Sequence, residues 1–320
     1  MDSSAAESSY KVRVDRTRGV QQPSKLKIAE FDSPYPLHIM KRLAIIVLVL
    51  ASTLAHATKK PSRPRVEPAS IVYDVSAGRI IHAVNENGSI SIASMTKMVT
   101  VLTVLEANQD LGEIISVRGR EGSSRIRVGM DLTRFDLIEL AMVSSDNLAA
   151  RTLIEHYPGG YLAGISAMND LVRKIGAVNT TLVEPTGLLA ANTSTAEDLV
   201  KITQQTSNYP VFRRFANQTS AEVRAEKVSK ARRAFLWITG RTTNPFAGER
   251  TEFEILSFKT GLTSAAGWCL TMLVNYNNHQ YVLVTAGNPS KQARRMQAEK
   301  LIQSITNQQY TLNVADSAEL

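Results

Sequence analysis

A single cysteine, Cys269, stands in the 320-residue chain, so an internal disulfide is excluded and export cannot be argued from cysteine pairing. In the apolar run Trp268-Cys269-Leu270 it reads as a small core hydrophobe rather than a nucleophile. The five histidines are scattered, and neither H-E-x-x-H nor C-x-x-C occurs, so no metal site is expected. No P-loop or G-x-G-x-x-G stands between a strand and a helix, and no cofactor is implied. Long Lys/Arg runs and interleaved aromatics are also missing. The net charge of +8 is spread along the chain, which suits anionic surroundings but lacks the basic stripe of a nucleic-acid-binding protein. There are no internal repeats.

What is present is ordinary globular composition, 43% hydrophobic and 21% charged. The amino terminus divides into segments. Residues 1–39 form a polar leader, expected to be disordered or a misassigned start. Residues 40–57 read as a secretory signal. Lys41 and Arg42 make its basic region, Leu43 to Leu54 its apolar region, and Ala55-His56-Ala57 its cleavage site. That apolar run is shorter than the roughly 20 residues of a membrane span. The expectation is therefore a periplasmic protein with no stable membrane anchor after cleavage. A basic, Pro-rich linker follows at 58–68, then a folded domain over 69–305 and a polar tail over 306–320.

The folded part predicts a mixed α/β arrangement. Ser70 to Val75 and Arg79 to Ala83 read as a hairpin around Ser76-Ala77-Gly78. Helical spacing begins at Ser94 and recurs over Phe135 to Met142, Ala149 to His156 and Tyr161 to Ile175. Ser194-Thr195-Ala196-Glu197 has the form of a capping box opening a helix that runs to about Gln205. Phe253 to Thr260, Trp268 to Tyr276 and Tyr281 to Ala286 read as strands, and Gln292 to Ser304 as a closing helix. Strands from both ends of the chain are expected to meet in one five-stranded antiparallel sheet covered by helices, with a helical subdomain between.

Three short elements carry potential chemistry. Ser94-Met95-Thr96-Lys97 opens a helix, which sets a hydroxyl and an amine one turn apart on one face. Serine needs an adjacent base, and lysine can serve if burial or a second cation lowers its pKa. The spacing is weak alone, since Ser8…Lys11 and Ser24…Lys27 share it in the leader. Ser145-Asp146-Asn147 lies between two predicted helices. It can be a helix cap, or it can supply a proton relay at Ser145 and an amide at Asn147. Lys259-Thr260-Gly261 ends a predicted strand. It can be a guarded edge, or it can pair with a substrate carboxylate while Gly261 lets a substrate backbone approach. Together and in this order, they match the set found in β-lactamases and penicillin-binding proteins.

From Ser70 to Ala286 the chain resembles the low-mass penicillin-binding proteins, the serine D-Ala-D-Ala peptidases of peptidase S11 type. The likeness includes Ala93 to Met98, Ser144 to Ala150, Tyr157-Pro158-Gly159-Gly160, Ala167-Met168-Asn169, Glu184-Pro185-Thr186-Gly187-Leu188 and Asn192 to Ala196. Thr243-Asn244-Pro245 and Ala266-Gly267 are similar to the soluble endopeptidase branch, the penicillin-binding protein 7 type. The resemblance implies a β-lactamase/DD-peptidase-like fold. It also implies Ser94 as nucleophile, Lys97 as base, Ser145 and Asn147 as the second arm, and Lys259, Thr260 and Gly261 as the substrate strand. An oxyanion would sit between the N–H groups of Ser94 and Leu262. Peptidoglycan stem peptides would be the substrate, and β-lactams covalent inhibitors. Two departures are noted: Ser91 where that branch typically has Pro, and a divergent charged stretch from Gly248 to Glu254.

The expected reaction is hydrolysis of D-Ala–diaminopimelate cross-links, with terminal D-Ala removal as the competing carboxypeptidase reading. Only a helix and a short tail follow Ala286, where an anchored carboxypeptidase needs a second β-rich domain and an amphipathic anchor. A class A β-lactamase needs an E-x-x-L-N segment that is missing. A non-catalytic cell-wall or β-lactam binding module would not require Ser94, Lys97, Ser145 and Lys259 together.

Overall fold

The computed structural model describes residues 67–120, 124–228 and 233–318, together with side chains up to residue 307. The leader, the signal segment and nearly all of the linker lie outside the described residues.

The chain opens with strands β1 (Ala69–Asp74) and β2 (Arg79–Val84), then a two-residue strand β3 (Ile90–Ser91). A 3-10 turn, Ala93–Met95, leads into helix α1 (Thr96–Glu106). Short strands β4 (Ile114–Ser116) and β5 (Met130–Thr133) precede helices α2 (Arg134–Val143), α3 (Asn147–Glu155) and α4 (Gly160–Lys174). Strand β6 (Thr193–Ser194), helices α5 (Ala196–Gln205) and α6 (Pro210–Ala216), and the hairpin of β7 (Ser220–Val228) with β8 (Arg233–Arg241) follow. Strands β9 (Glu254–Thr263), β10 (Gly267–Tyr276) and β11 (His279–Asn288) and helix α7 (Lys291–Ala318) complete the fold.

The main sheet is antiparallel and ordered β2-β1-β11-β10-β9, so the expected meeting of both chain ends occurs. Period-2 alternation explains its two faces. Val282, Val284 and Ala286 of β11 join the core built on α1 and α5. Tyr281 and Leu283, between them, point to the opposite core with Ala298, Leu301 and Ile305 of α7. Each such side chain taken fully out of water contributes roughly 1.5–3 kcal/mol. Asn277 and Asn278 sit at φ 49° and 62° in the β10–β11 turn, a conformation asparagine tolerates and tight hairpins require.

Helix α1 is buried on every side from Thr96 to Val104. Its threonines are accommodated because each hydroxyl finds a carbonyl: Thr96 on Ala93, Thr100 on Pro185 and Thr103 on Val99, at 2.7–2.8 Å. A helix at the centre of the fold is a rigid mount for whatever stands at its start.

Three expectations are corrected. The cap of α5 is Thr195, whose hydroxyl accepts from Asp198 N at 3.0 Å, one residue later than the Ser194…Glu197 box. Ser194 is instead paired in β6 with Ile90. Helix α7 runs on through Ala318, across the segment expected to be a polar tail. A second sheet, β4-β5-β7-β8, was not foreseen. In β7, small apolar residues at Ala221, Val223 and Ala225 face inward between charged neighbours, a pattern of low β-propensity.

Candidate active site

Ser94 stands in the 3-10 turn before α1, and Ala93 beside it adopts φ 45°, a left-handed conformation costly for a residue with a Cβ. Two glycines make that turn possible. A Cβ on Gly187 would lie 1.8 Å from Ala93 O, and one on Gly261 would lie 2.9 Å from Ala93 Cβ and 3.2 Å from Ser94 N. The loop at 187 and the strand at 261 therefore press directly on the backbone around Ser94.

Lys97 is fully buried one turn further along. Its Nζ donates to Ser94 Oγ at 2.8 Å, Asn147 Oδ1 at 2.8 Å and the Thr186 carbonyl at 2.6 Å. The helical spacing thus does what the sequence suggested, and a third partner, Thr186, joins it.

Ser145 lies between α2 and α3 at φ 58°. Asp146 is the N-cap of α3, accepting from Ala149 N at 3.1 Å, and its other oxygen accepts from Arg125 N at 2.9 Å. Asp146 therefore meets the capping reading, while Ser145 and Asn147 on either side contact the amines of Lys259 and Lys97. The cap fixes where Ser145 and Asn147 point.

Lys259 sits in β9, the edge strand of the main sheet, paired with Thr271 of β10. It is fully buried, and its Nζ donates to Ser145 Oγ at 2.9 Å and to the Thr260 carbonyl at 3.0 Å. Burial lowers its pKa well below 10.5, with the charges of Lys97 and Arg294 acting in the same direction.

These groups meet at a cleft of about 370 Å³. Ser94, Ser145, Asn147, Thr260, Gly261 and Leu262, all singled out in the sequence, line it, while the amines of Lys97 and Lys259 reach Ser94 and Ser145 from beneath. Leu188, Thr242, Thr243, Trp268, Lys291 and Arg294 also line it, and motif reasoning gave none of these a role. Arg294 is the most telling. It is buried, its guanidinium lies 5.5 Å from the Trp268 ring centroid, and its Nε has no acceptor among the described residues. Nothing in the sequence separates it from Arg295, which pairs with Glu249 and Glu299.

Cys269 is buried, and burial raises its thiol pKa to about 12, which fits the core reading. No group of metal-ligating side chains occurs among the described residues, and none of their helices is long and apolar enough to cross a membrane.

Residues 57–290 match the peptidase S11 family, described as D-alanyl-D-alanine carboxypeptidase. The chain is 32% identical to a D-alanyl-D-alanine endopeptidase of Pseudomonas aeruginosa, over 76% of this chain and 81% of that one. It is 33% identical to one of Escherichia coli, over 79% and 81%. With D-alanyl-D-alanine carboxypeptidase DacF of Bacillus subtilis it shares 26% identity, over 81% of this chain but 65% of the relative. The fold is similar to that of the Streptomyces K15 DD-transpeptidase, with a TM-score of 0.67 and 21% identity over 76% of this chain and 98% of that one. It is also similar to penicillin-binding protein D2 of Listeria monocytogenes in its ampicillin-bound form, with a TM-score of 0.63 and 22% identity over 74% and 95%. A family match across most of the chain, relatives above 30% identity and a shared fold agree: the chain belongs to the peptidase S11 family of serine D-Ala-D-Ala peptidases.

Proposed function

We propose that this protein is a peptidoglycan DD-endopeptidase acting through an acyl-enzyme on Ser94, exported to the periplasm by the signal segment at 40–57. The observation that carries the chemistry is the set of partners around Lys97. Thr186 O and Asn147 Oδ1 can only accept, whereas Ser94 Oγ can also donate. Once Lys97 gives up its charge, its amine has two hydrogens and one lone pair. With the hydrogens directed at the two obligate acceptors, the lone pair faces Ser94 and takes its proton.

Ser94 Oγ then attacks the D-Ala carbonyl carbon, forming a C–O bond as the proton passes to Lys97. The developing oxyanion is held by the N–H groups of Ser94 and Leu262, a reading supported by the close approach of Gly261 to Ser94 N. As the C–N bond breaks, the proton returns to the leaving amine through Lys97 and Ser145, and water later releases the acyl group. Lys259, Thr260 and the buried Arg294 present a cationic wall to a substrate carboxylate. The same path with a β-lactam leaves a covalent adduct on Ser94.

Sequence identity favours endopeptidase action: 32% and 33% to the two endopeptidases, against 26% to the carboxypeptidase DacF. Carboxypeptidase action is the second reading, favoured by the family's own description. Incubation of residues 58–320 with a cross-linked muropeptide dimer and a pentapeptide monomer, followed by mass spectrometry, tests both. Cleavage of the dimer is expected. Loss of terminal D-Ala alone would replace the endopeptidase reading with the carboxypeptidase one, and no cleavage by the folded protein would leave the binding-module reading.

A further inference from the structure

The carbonyl that orients Lys97 belongs to Thr186, and the conformation of that residue is fixed by one side chain. Glu184 is only 6% exposed, and its carboxylate is surrounded by donors. Oε2 accepts from Thr186 N at 2.7 Å and Thr186 Oγ1 at 2.6 Å. Oε1 accepts from Gly187 N at 2.6 Å, Asn192 Nδ2 at 3.0 Å and Leu189 N at 3.4 Å. The loop is thereby folded around the carboxylate with the Thr186 carbonyl turned outward, to Lys97 Nζ at 2.6 Å. A second tether runs through Asn192, whose Nδ2 also donates to Thr96 Oγ1 at 3.1 Å, and Thr96 Oγ1 donates to Ala93 O at 2.8 Å. The first tether ends on the amine that contacts Ser94, the second on the turn that carries it.

Resting on the serine-peptidase reading above, we infer that Glu184 is a positioning residue for acylation. It holds the Thr186 carbonyl where it consumes one N–H of Lys97, and so aims the amine's lone pair at Ser94. A buried carboxylate suits this task because it accepts several hydrogen bonds and donates none. An amide of the same shape must turn an NH2 group toward backbone or hydroxyl donors at one end or the other.

The test is penicillin acylation followed by mass spectrometry in wild type and Glu184→Gln. It resolves the acylation rate constant, the dissociation constant of the initial complex and the final stoichiometry. At saturating penicillin, the variant is expected to acylate about 10- to 100-fold more slowly, the scale of a misplacement of about 1 Å. The dissociation constant should stay within about twofold, and labelling should still approach one adduct per folded chain. Thr186→Val keeps the backbone and removes the hydroxyl's contacts with Glu184 Oε2 and Leu188 N; a smaller slowing, about 3- to 10-fold, is expected there and serves if Glu184→Gln fails to fold. A wild-type rate constant in either folded variant overturns the inference. So does a loss confined to the fraction of chains that can be labelled, which marks a merely structural role. Absence of labelling in the unsubstituted protein would instead fail the serine-peptidase reading.

Discussion

Lys259 Nζ donates to Ser145 Oγ at 2.9 Å, joining the edge strand of the main sheet to the turn between α2 and α3 across 114 residues of sequence. The contact lies beneath the cleft, against Ser145, which lines it. Burial, Lys97 and Arg294 all disfavour the charge on Lys259, so the site holds it at a cost to stability.

The sign of that cost can be measured. Between the lowered folded pKa of Lys259 and its ordinary 10.5, the unfolded chain binds a proton that the folded chain does not. Stability from this group therefore rises with pH across that window. Lys259→Met is expected to stabilise the fold by about 1–3 kcal/mol at neutral pH while abolishing turnover. Its advantage in Tm should shrink as pH approaches 10.5. A variant less stable than wild type at neutral pH would contradict this.

Ser94→Ala should remove both turnover and covalent penicillin labelling and leave the fold intact, because Ser94 lines the cleft and is not part of the hydrophobic core. Intact-protein mass spectrometry after penicillin treatment reads the outcome. A retained adduct would reject Ser94 as the nucleophile.

Gly187 and Gly78 both have positive φ, 82° and 68°, but their surroundings differ. A Cβ at Gly78 meets nothing within 4 Å, so Gly78→Ala should cost about 1 kcal/mol from backbone conformation alone. At Gly187 the Cβ would lie 1.8 Å from Ala93 O, so Gly187→Ala should cost about 3 kcal/mol or more and disable acylation. Chemical denaturation of the pair checks the contrast, and equal costs would refute it.

Cys269 is expected to resist iodoacetamide in the native protein at pH 8, since its thiol is buried with a pKa pushed to about 12. Alkylation should follow unfolding by denaturant. Rapid labelling of the native protein would show that β10 opens readily at its start.

Most of the main sheet and the helices around it were legible because their signals are local. The continuous apolar run of β11 and the long apolar stretch of α1 mark buried elements by themselves, although burial on every side leaves open which neighbour covers which face. The sheet formed by β7 and β8 was missed although Ala221, Val223 and Ala225 alternate with charged residues and Phe235 to Thr239 are mostly strong β-formers; in β8 Phe235, Leu236 and Trp237 are exposed, so apolar character there does not report a core face. The α5 cap was misplaced by one residue because Ser194 and Thr195 are both competent caps, and only the pairing of Ser194 with Ile90 decides between them.

The sequence by itself determined the chemistry available: a hydroxyl and an amine one helical turn apart, a Ser-x-Asn between helices and a Lys-Thr-Gly on a strand. Short-range geometry sets those relationships wherever the local helix or strand forms. Only the tertiary structure decided which residues hold that chemistry in register. Thr186 reaches Lys97 across 89 residues, and Arg294 rather than Arg295 faces the cleft. Such contacts depend on where long loops close and how helices are rotated against the sheet, and those are set by packing of the whole core rather than by any local run of residues.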